Sequence, residues 1–257
     1  MKKRLDVLLV ERGLAESRAQ AQALVLAGRV RGYEKPGVQV EESQDVEVEA
    51  GARFVSRGGE KLAHALSALE IDVTGEDCLD VGASTGGFTD CLLQAGAARV
   101  CPLDVGYGQL HERLRDDPRV TVLERKNVRD LSCVELPFAP TFITCDVSFI
   151  GLGKALPPAL ACAAPGWRAL VLVKPQFEAG RADVGRGGVV RDPQIHRRVL
   201  RGVAAQVPAW GGHLLGIVDS GLPGPKGNRE FFVFIAAGPP RATAKEEIDA
   251  WIEAALG

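Results

Sequence analysis

A glycine cluster between two apolar runs is the feature of this sequence that points most directly to chemistry. Residues 78–90 contain a strand-like apolar run, then three glycines, then the start of a helical pattern. Glycines let the backbone approach a ligand without a Cβ clash, and the first turn of a helix presents free N–H groups to an anionic group. Asp104 ends the next apolar run, where an acid can accept hydrogen bonds from both hydroxyls of a ribose. We therefore expect a nucleotide-like ligand here rather than a plain tight turn.

The loop departs from the dinucleotide fingerprint G-x-G-x-x-G, because Ser84 occupies the position of its central glycine. This departure weakens the interpretation as a dehydrogenase. An acidic residue before the first glycine, here Asp80, is typical of enzymes that use S-adenosylmethionine, where it can meet the amino-acid end of the cofactor. The predicted cofactor is S-adenosylmethionine, and its predicted contacts are Asp80, Gly82, Ser84, Gly86, Gly87, Phe88, Asp104, Asn127 and Asp146.

An asparagine and two phenylalanines near this loop can be interpreted either as ligand contacts or as structural residues. Asn127 could touch the adenine, but an asparagine in a turn suits its position equally well. Phe88 and Phe149 are expected in the core or in a cavity wall. Because aromatic residues make up only 5% of the chain, extensive stacking on RNA bases is not indicated.

Four charged residues stand beside apolar runs in the same part of the chain. Asp146 and Lys174 each follow such a run, Glu230 precedes another, and Lys61 lies in Ser56–Leu62. The carboxyl ends of parallel strands converge on one crevice, so we expect these side chains to meet there. Any one of them alone is better explained as half of a salt bridge. Four together beside a ligand loop favour a catalytic group.

The elements that must position these residues follow from hydrophobic periodicity. From about residue 60, strand-like runs alternate with helical patterns, which is typical of a parallel sheet with crossover helices. We expect an α/β fold with a Rossmann-like class I methyltransferase domain over 56–257, built on a mostly parallel seven-stranded sheet, and a small α+β domain over 1–55. The last two strands should pair antiparallel, because their connection is short. The predicted strands are 78–81, 98–105, 120–124, 141–146, 169–174, 214–219 and 230–236, and the predicted helices are 61–70, 86–95, 152–161, 193–206 and 244–255.

The first 31 residues carry seven lysines or arginines against three acids. Leucines at helical spacing predict a first helix that ends at Gly13, and Ser17 stands where it can cap a second helix. The stretch Val30–Val48 alternates apolar and polar residues around a Lys-Pro-Gly turn, which predicts short strands. Basic side chains at helix starts and turns can reach a phosphate backbone, although the same charges suit an ordinary solvated helical pair.

This N-terminal segment resembles the alpha-L RNA-binding module. The resemblance is carried by Arg4-Leu5-Asp6, Ser17-Arg18 and Ala27-Gly28-Arg29-Val30. It implies an RNA partner. The residues expected to contact RNA are Lys3, Arg4, Arg18, Arg29 and, at the start of the catalytic domain, Arg57.

Five motifs of the whole chain are similar to those of the TlyA family: Ser56–Leu62, Asp80–Gly87, Cys145–Ile150, Val173–Glu178 and Asn228–Glu230. TlyA proteins are described as hemolysins or rRNA methyltransferases, and their catalytic domain is similar to the FtsJ ribose 2′-O-methyltransferases. The similarity covers essentially the full length. It implies that the family's Lys-Asp-Lys-Glu catalytic tetrad is Lys61, Asp146, Lys174 and Glu230.

The resemblance implies 2′-O-methylation of ribose, on cytidine, in ribosomal RNA or ribosomal subunits. A ribose hydroxyl is a poor nucleophile and must lose its proton as it attacks the methyl group. A lysine can take that proton where burial and a neighbouring cation favour its neutral amine. We assign Lys174 as the base and Lys61 as the group that binds or polarises the hydroxyl, while Asp146 and Glu230 orient the two lysines.

Cysteine and histidine spacing gives no sign of a metal site, since the six cysteines form no CxxC pair. We expect reduced, mostly buried thiols. No apolar run approaches the roughly 18 residues of a membrane helix, and the N-terminus does not read as a signal peptide. The sequence therefore favours a cytoplasmic protein without a membrane partner, and it leaves the oligomeric state open.

Two other functions are alternatives to an RNA methyltransferase. The first is a membrane-active hemolysin, which no basic amphipathic helix supports. The second is an RNA-binding ribosome assembly factor without catalysis, against which the intact glycine loop and the four charged residues argue.

Overall fold

The computed structural model describes residues 2–48, 51–224, 226–238 and 243–257. The chain divides into two compact units, Met1–Arg53 and Phe54–Gly257, and each is described by itself.

The smaller unit contains two packed helices and a short antiparallel ribbon. α1 (Leu5–Glu11) packs on α2 (Arg18–Leu26), and β1 (Lys2–Arg4) pairs with β2 (Gln39–Glu41). The two helices are confirmed, whereas β1 was not predicted. Its three residues are too few to show an alternating pattern.

Local sequence signals account for the ends of the second helix. The Ser17 side chain accepts a hydrogen bond from the backbone N–H of Gln20, as expected of an N-cap. Gly28, just beyond the helix, adopts φ +70°, which glycine tolerates without a steric cost. A small core of leucines and valines closes the unit, among them Leu5, Leu8, Leu9, Val25 and Val30.

The larger unit is built on a six-stranded sheet. Its strands are β3 (Asp77–Val81), β4 (Arg99–Leu103), β5 (Phe142–Cys145), β6 (Arg168–Val173), β7 (Gly212–Asp219) and β8 (Phe231–Ala237). Their spatial order is β4-β3-β5-β6-β8-β7. β8 runs antiparallel to both of its neighbours, which confirms the pairing predicted from the short connection before it. The remaining neighbouring strands are parallel.

Helices cover both faces of this sheet. Along β6, Val171 and Val173 belong to one hydrophobic cluster, and Leu170 and Leu172 belong to the other. A strand covered on both sides carries apolar residues at every position. The helices in the described part of this unit are α3 (Arg57–Ala68), α4 (Gly87–Gln94), α5 (Glu112–Arg115), α6 (Leu152–Ala161), α7 (Pro175–Glu178), α8 (Pro193–Ala204) and α9 (Lys245–Leu256), and 3₁₀ turns lie at Val128–Asp130, Cys133–Glu135, Arg181–Asp183 and Val207–Trp210. Among the helices described here, none is both long and apolar enough to cross a membrane.

The expectation of seven strands needs correction. Residues 120–124 run beside β4 and form only two isolated bridges with it, one on each side of Pro102. Val100 and Asp104 donate backbone hydrogen bonds to this segment and its flank. Pro102, between them, has no N–H to donate. The ladder is therefore interrupted, and the sheet has six continuous strands.

The expectation of reduced cysteines is right for four of them and wrong for two. Cys78, Cys91, Cys101 and Cys145 are free and buried. Cys133 and Cys162 form a disulfide, with their Cα atoms 4.9 Å apart. The pair comes together because the 3₁₀ turn at Cys133 lies beside the end of α6, and a separation of 29 residues gave no sign of it.

Candidate active site

The glycine-rich loop begins where β3 ends, and its first glycine is tightly constrained. Gly82 adopts φ +84°. Its N–H donates to the carbonyl of Leu103, 2.8 Å away. A Cβ on Gly82 would lie 2.5 Å from the backbone carbonyl oxygen of Asp146. The position therefore needs glycine both for its conformation and for the close approach of two backbones.

Asp104, at the end of the neighbouring β4, is held by the same loop. Its Oδ2 accepts the backbone N–H of Ser84 at 2.8 Å, and its Oδ1 accepts that of Gly106 at 2.7 Å. Each carboxylate oxygen has a second lone pair for a ligand. The side chain is thus oriented before any ligand arrives.

A cavity of about 860 Å³ opens beside Asp104. This volume lies within the range of about 300–1,000 Å³ that is typical of small-molecule sites. The backbone approach at Gly82 and the oriented Asp104 carboxylate fit a ligand with a ribose. The predicted cofactor residues that line the cavity are Gly82, Ser84, Asp104, Asn127 and Asp146.

Asp80 lies beneath the loop and lines neither this cavity nor the smaller one described below. It is fully buried, and its carboxylate accepts hydrogen bonds from the hydroxyls of Thr89 at 2.7 Å and Thr144 at 3.0 Å. Burial raises the pKa of Asp80 to about 6. The structure therefore places the Asp80 side chain away from both cavities, and its direct contact with the cofactor stays a prediction. The strand alternation turns this side chain into the protein, where it supports the loop.

Gly86 also lines neither cavity, and its contact with the cofactor stays a prediction. It adopts φ +94° at the start of α4, and a Cβ would meet the side chain of Leu110 at 2.7 Å. Its glycine serves the turn and the packing of the loop.

A second cavity of about 370 Å³ adjoins the first. Gly82, Ser84 and Asp146 line both, so these three residues form the wall between them. Gly87 and Phe88 line only the smaller cavity. All four residues of the predicted tetrad also line it: Lys61, Asp146, Lys174 and Glu230.

The tetrad is arranged as two ion pairs. Lys61 Nζ lies 2.5 Å from Glu230 Oε2, and these side chains are only 10% and 1% exposed. Lys174 Nζ lies 2.5 Å from Asp146 Oδ1. Each lysine is thus held by one carboxylate in a largely desolvated place, where charge interactions are stronger than in water.

Ser148 was not predicted as a site residue, although it lines the larger cavity. Lys174 Nζ donates a hydrogen bond to its hydroxyl at 3.0 Å. The only signal in the sequence is that Ser148 follows Asp146 by two residues at a strand end. One carboxylate oxygen and one hydroxyl oxygen therefore fix the lysine ammonium.

Glu178, also unassigned from the sequence, lines the larger cavity. Its Oε1 accepts the backbone N–H of Leu152 at the start of α6. Burial raises the pKa of this carboxyl. Glu178 thus joins α7 to α6 along the cavity wall.

The asparagine and the two phenylalanines near the loop have different surroundings. Asn127 Oδ1 accepts the backbone N–H of Arg129 at 3.1 Å, so the residue forms a turn and also lines the larger cavity. Phe88 is buried, as expected. Phe149 is a wall residue but not a core residue, because it is 91% exposed and adopts φ +66°. Its ring packs on Phe177, with the ring centroids 5.1 Å apart.

The comparisons with known proteins agree with this architecture. The FtsJ-like methyltransferase family model matches residues 54–237, and the S4 domain model matches residues 3–31. The 16S/23S rRNA (cytidine-2′-O)-methyltransferase TlyA of Mycobacterium tuberculosis is 44% identical over 98% of this chain and 97% of its own length. A candidate rRNA methyltransferase of Bacillus subtilis, YqxC, is 45% identical over 91% of this chain and 85% of its own.

A solved structure shows the same arrangement. It is a candidate hemolysin from Streptococcus thermophilus, 38% identical, with a TM-score of 0.76. The alignment covers 99% of this chain and 96% of that one.

A mostly parallel sheet with one antiparallel strand, a glycine turn after β3 and the FtsJ-like match define an S-adenosylmethionine-dependent methyltransferase with an N-terminal S4 domain. The cofactor is S-adenosylmethionine. The chain belongs to the TlyA family.

Replacement of Gly82, compared with a control glycine, should distinguish the effect of a positive φ from the effect of a steric clash between an added Cβ and Asp146. We expect Gly82→Ala to weaken S-adenosylmethionine binding by at least about tenfold, because the new Cβ must push Asp146 away from the loop. Gly108→Ala is the matched control, since Gly108 has φ +69° but no atom lies within 4 Å of the place its Cβ would take. Calorimetric titration measures both variants. Wild-type affinity in Gly82→Ala would show that the close approach is unimportant.

The raised pKa of Asp80 should appear in the pH dependence of stability. The folded state holds the proton up to about pH 6, whereas the unfolded chain releases it near 3.8. The folded state therefore binds more protons in this window, and stability falls as pH rises through it, by up to about 3 kcal/mol. Asp80→Asn should remove this component.

The free energy of unfolding by urea is measured for wild type and variant from pH 4 to pH 7, with tryptophan fluorescence as the probe. All three tryptophans, Trp167, Trp210 and Trp251, lie in the larger unit. Asp116→Asn, at an exposed carboxylate, is the control. A constant difference between wild type and Asp80→Asn across this range would contradict the prediction.

Proposed function

We propose that this chain methylates a ribose 2′-hydroxyl of ribosomal RNA, with cytidine as the target nucleotide. The observation that carries the proposal is the pair of lysine–carboxylate contacts lining a cleft that shares a wall with the cofactor cavity. The relative from Mycobacterium tuberculosis, whose name specifies cytidine-2′-O and 16S/23S rRNA, supports the same substrate.

The cofactor is proposed to occupy the larger cavity. Asp104 would accept the ribose hydroxyls, Asn127 would lie beside the adenine, and the backbones of Gly82 and Ser84 would border the methionine part. Bound there, S-adenosylmethionine supplies an electrophilic methyl group on a sulfonium. The two cavities meet at Gly82, Ser84 and Asp146, so the methyl group and the acceptor hydroxyl would come into direct contact at this junction.

The smaller cavity is proposed to receive the ribose. The Lys174 amine, once its own ammonium proton has passed to solvent, takes the proton of the 2′-hydroxyl as the oxygen attacks, while Lys61 donates a hydrogen bond to that oxygen. Asp146 and Glu230 hold the two amines in place. The O–H bond breaks to leave the proton on Lys174, and the S–C bond of the sulfonium breaks as the methyl group passes to the ribose oxygen, so that the cofactor would leave as a neutral thioether. Alignment of the hydroxyl with the methyl group contributes much of the rate.

Residues 1–55 are proposed as the RNA-binding domain and residues 56–257 as the catalytic domain. Arg4 and Arg18 are 42% and 55% exposed, which suits contact with phosphates. Lys3 is a weaker candidate, because its ammonium already pairs with Glu11 and Glu42 at 2.7 Å each.

Arg29 and Arg57 complete the proposed RNA contacts. Arg57 lines the smaller cavity and donates to the carbonyl of Pro223 at 3.2 Å. Its place beside the acceptor cleft suits a phosphate next to the target ribose.

A substrate within ribosomal subunits implies action in the cytoplasm.

The proposal predicts the chemical nature of the product. Labelled methyl groups should be transferred from S-adenosylmethionine to small subunits, large subunits or naked rRNA, and the label should protect a phosphodiester from alkali. Only a methylated 2′-oxygen gives that protection. Label on a nucleobase would refute ribose methylation, and cofactor binding without transfer to any RNA would favour the assembly factor.

The role of Lys174 is tested by a charge-preserving change. Lys174→Arg can keep the ion pair with Asp146 but cannot act as a base near neutral pH. We expect Lys174→Arg and Lys174→Ala to lose at least about a hundredfold in turnover while binding the cofactor normally. Lys61→Arg, which retains a hydrogen-bond donor, should lose less. Retention of more than about a tenth of the wild-type turnover by Lys174→Arg would rule out Lys174 as the base.

A further inference from the structure

A single buried carboxylate links two exposed arginines in the smaller unit. Asp6 has no exposed side-chain surface, whereas Arg4 and Arg18 are about half exposed. Arg4 donates from Nε and Nη2 to the two oxygens of Asp6, each at 3.0 Å. Arg18 Nε donates to Oδ2 at 3.0 Å, and Gln22 Nε2 donates to the same oxygen at 2.8 Å.

A carboxylate is expensive to bury unless charged donors satisfy it. Here the Arg4 guanidinium, with help from Gln22 and Arg18, holds the pKa of Asp6 well below its usual range. The group is therefore ionised at neutral pH. Its cost of burial is offset by the two arginines, which are in turn fixed relative to each other.

The arginines keep donors for a ligand. Arg4 Nη1 and both terminal nitrogens of Arg18 make no hydrogen bond within the described ranges of the chain. The Arg4 guanidinium also lies against Gly37, where an added Cβ would be 3.1 Å from Nη2. This contact further limits its movement. Two planar guanidinium groups with one carboxylate give a net charge of +1.

We propose that Asp6 is a positioning residue that holds Arg4 and Arg18 as a preformed binding site for the phosphate groups of RNA. The inference rests on the proposed function, because that function makes RNA the ligand. Arginine suits this task, since its rigid fork of donors matches a phosphate. Ordering both side chains in advance removes an entropic cost from binding.

A positioning role and a purely electrostatic role of Asp6 predict opposite effects of its removal on RNA binding. A carboxylate beside two arginines lowers the local positive potential, so its removal should strengthen binding to phosphates if only charge matters. If positioning dominates, its removal should weaken binding. The sign of the change therefore separates the two roles.

The test measures binding of the full chain to purified small and large ribosomal subunits across a range of KCl concentrations. We expect Asp6→Asn, which preserves size, to bind about tenfold more weakly. The slope of log affinity against log salt should become less steep by about one to two, as two phosphate contacts are lost. In the Arg4→Ala/Arg18→Ala background, Asp6→Asn should have no further effect.

Control variants and measurements test whether a loss of RNA binding comes from misfolding or from any carboxylate-to-amide change. Glu47→Gln makes the same chemical change at a carboxylate that pairs with Arg31 on the surface, with both side chains more than half exposed, and should bind as wild type. Circular dichroism monitors the fold of each variant, and S-adenosylmethionine affinity monitors the larger unit. If Asp6→Asn does not fold, Arg4→Lys tests the inference instead. This variant keeps the positive charge but loses the bidentate contact with Asp6.

The outcomes separate the inference from the proposed function. Binding by Asp6→Asn that equals or exceeds wild type overturns the inference, as does wild-type affinity and salt slope in Arg4→Lys. An additive loss in the double-arginine background also overturns it. If Arg4→Ala/Arg18→Ala binds normally, the RNA-binding role of these arginines fails together with the inference, while the methyl-transfer assay still decides the proposed function. If wild type itself binds no subunit and transfers no methyl group to any RNA, the proposed function fails.

Discussion

The close approach of Gly82 to the backbone of Asp146 is the constraint on which the site depends. β3 and β5 are neighbouring parallel strands, and the N–H of Asp146 donates to the carbonyl of Val81 at 2.8 Å. The glycine turn and the end of β5 therefore lie in contact, with no room for a Cβ. The two cavities share their wall at this point. Backbone geometry, which tolerates little adjustment, sets how near the cofactor and the acceptor can be.

The two ion pairs of the acceptor cleft depend on the completed sheet. Lys61 comes from α3, and Glu230, 169 residues later, immediately precedes β8. Loss of one partner from such a buried pair typically costs about 3–5 kcal/mol, because the other charge is left without compensation. A protein in which well-packed apolar residues replace a buried ion pair is often as stable as the original. Buried pairs at this place are therefore better explained by the reaction than by stability.

Two buried aspartates show how the partner decides the state of a carboxylate. Asp6 faces guanidinium groups, and its pKa falls well below the usual range. Asp80 accepts hydrogen bonds from the hydroxyls of Thr89 and Thr144, and burial raises its pKa to about 6. Hydroxyl dipoles compensate a desolvated charge less well than a cation does. The first carboxylate can therefore fix charged side chains at a surface, while the second supports a loop from inside.

The amino-acid sequence by itself determined the order of the six strands and of the longer helices in the larger unit, since its strands are apolar runs and many of its turns are marked by glycine or proline. The short helices α5 and α7 were not predicted. It also determined which residues stand at strand ends, including Asp104 and three residues of the two ion pairs. Local patterns could not reveal that Pro102 interrupts a seventh strand, because the missing hydrogen bond matters only once a neighbour lies beside it.

Tertiary structure alone decided which side chains meet. It turned Asp80 away from the cavities, brought Cys133 to Cys162, placed Ser148 on Lys174 and exposed Phe149. It also buried Asp6 between Arg4 and Arg18. These outcomes depend on distances across the fold, and residues far apart in the chain carry no local signal of them.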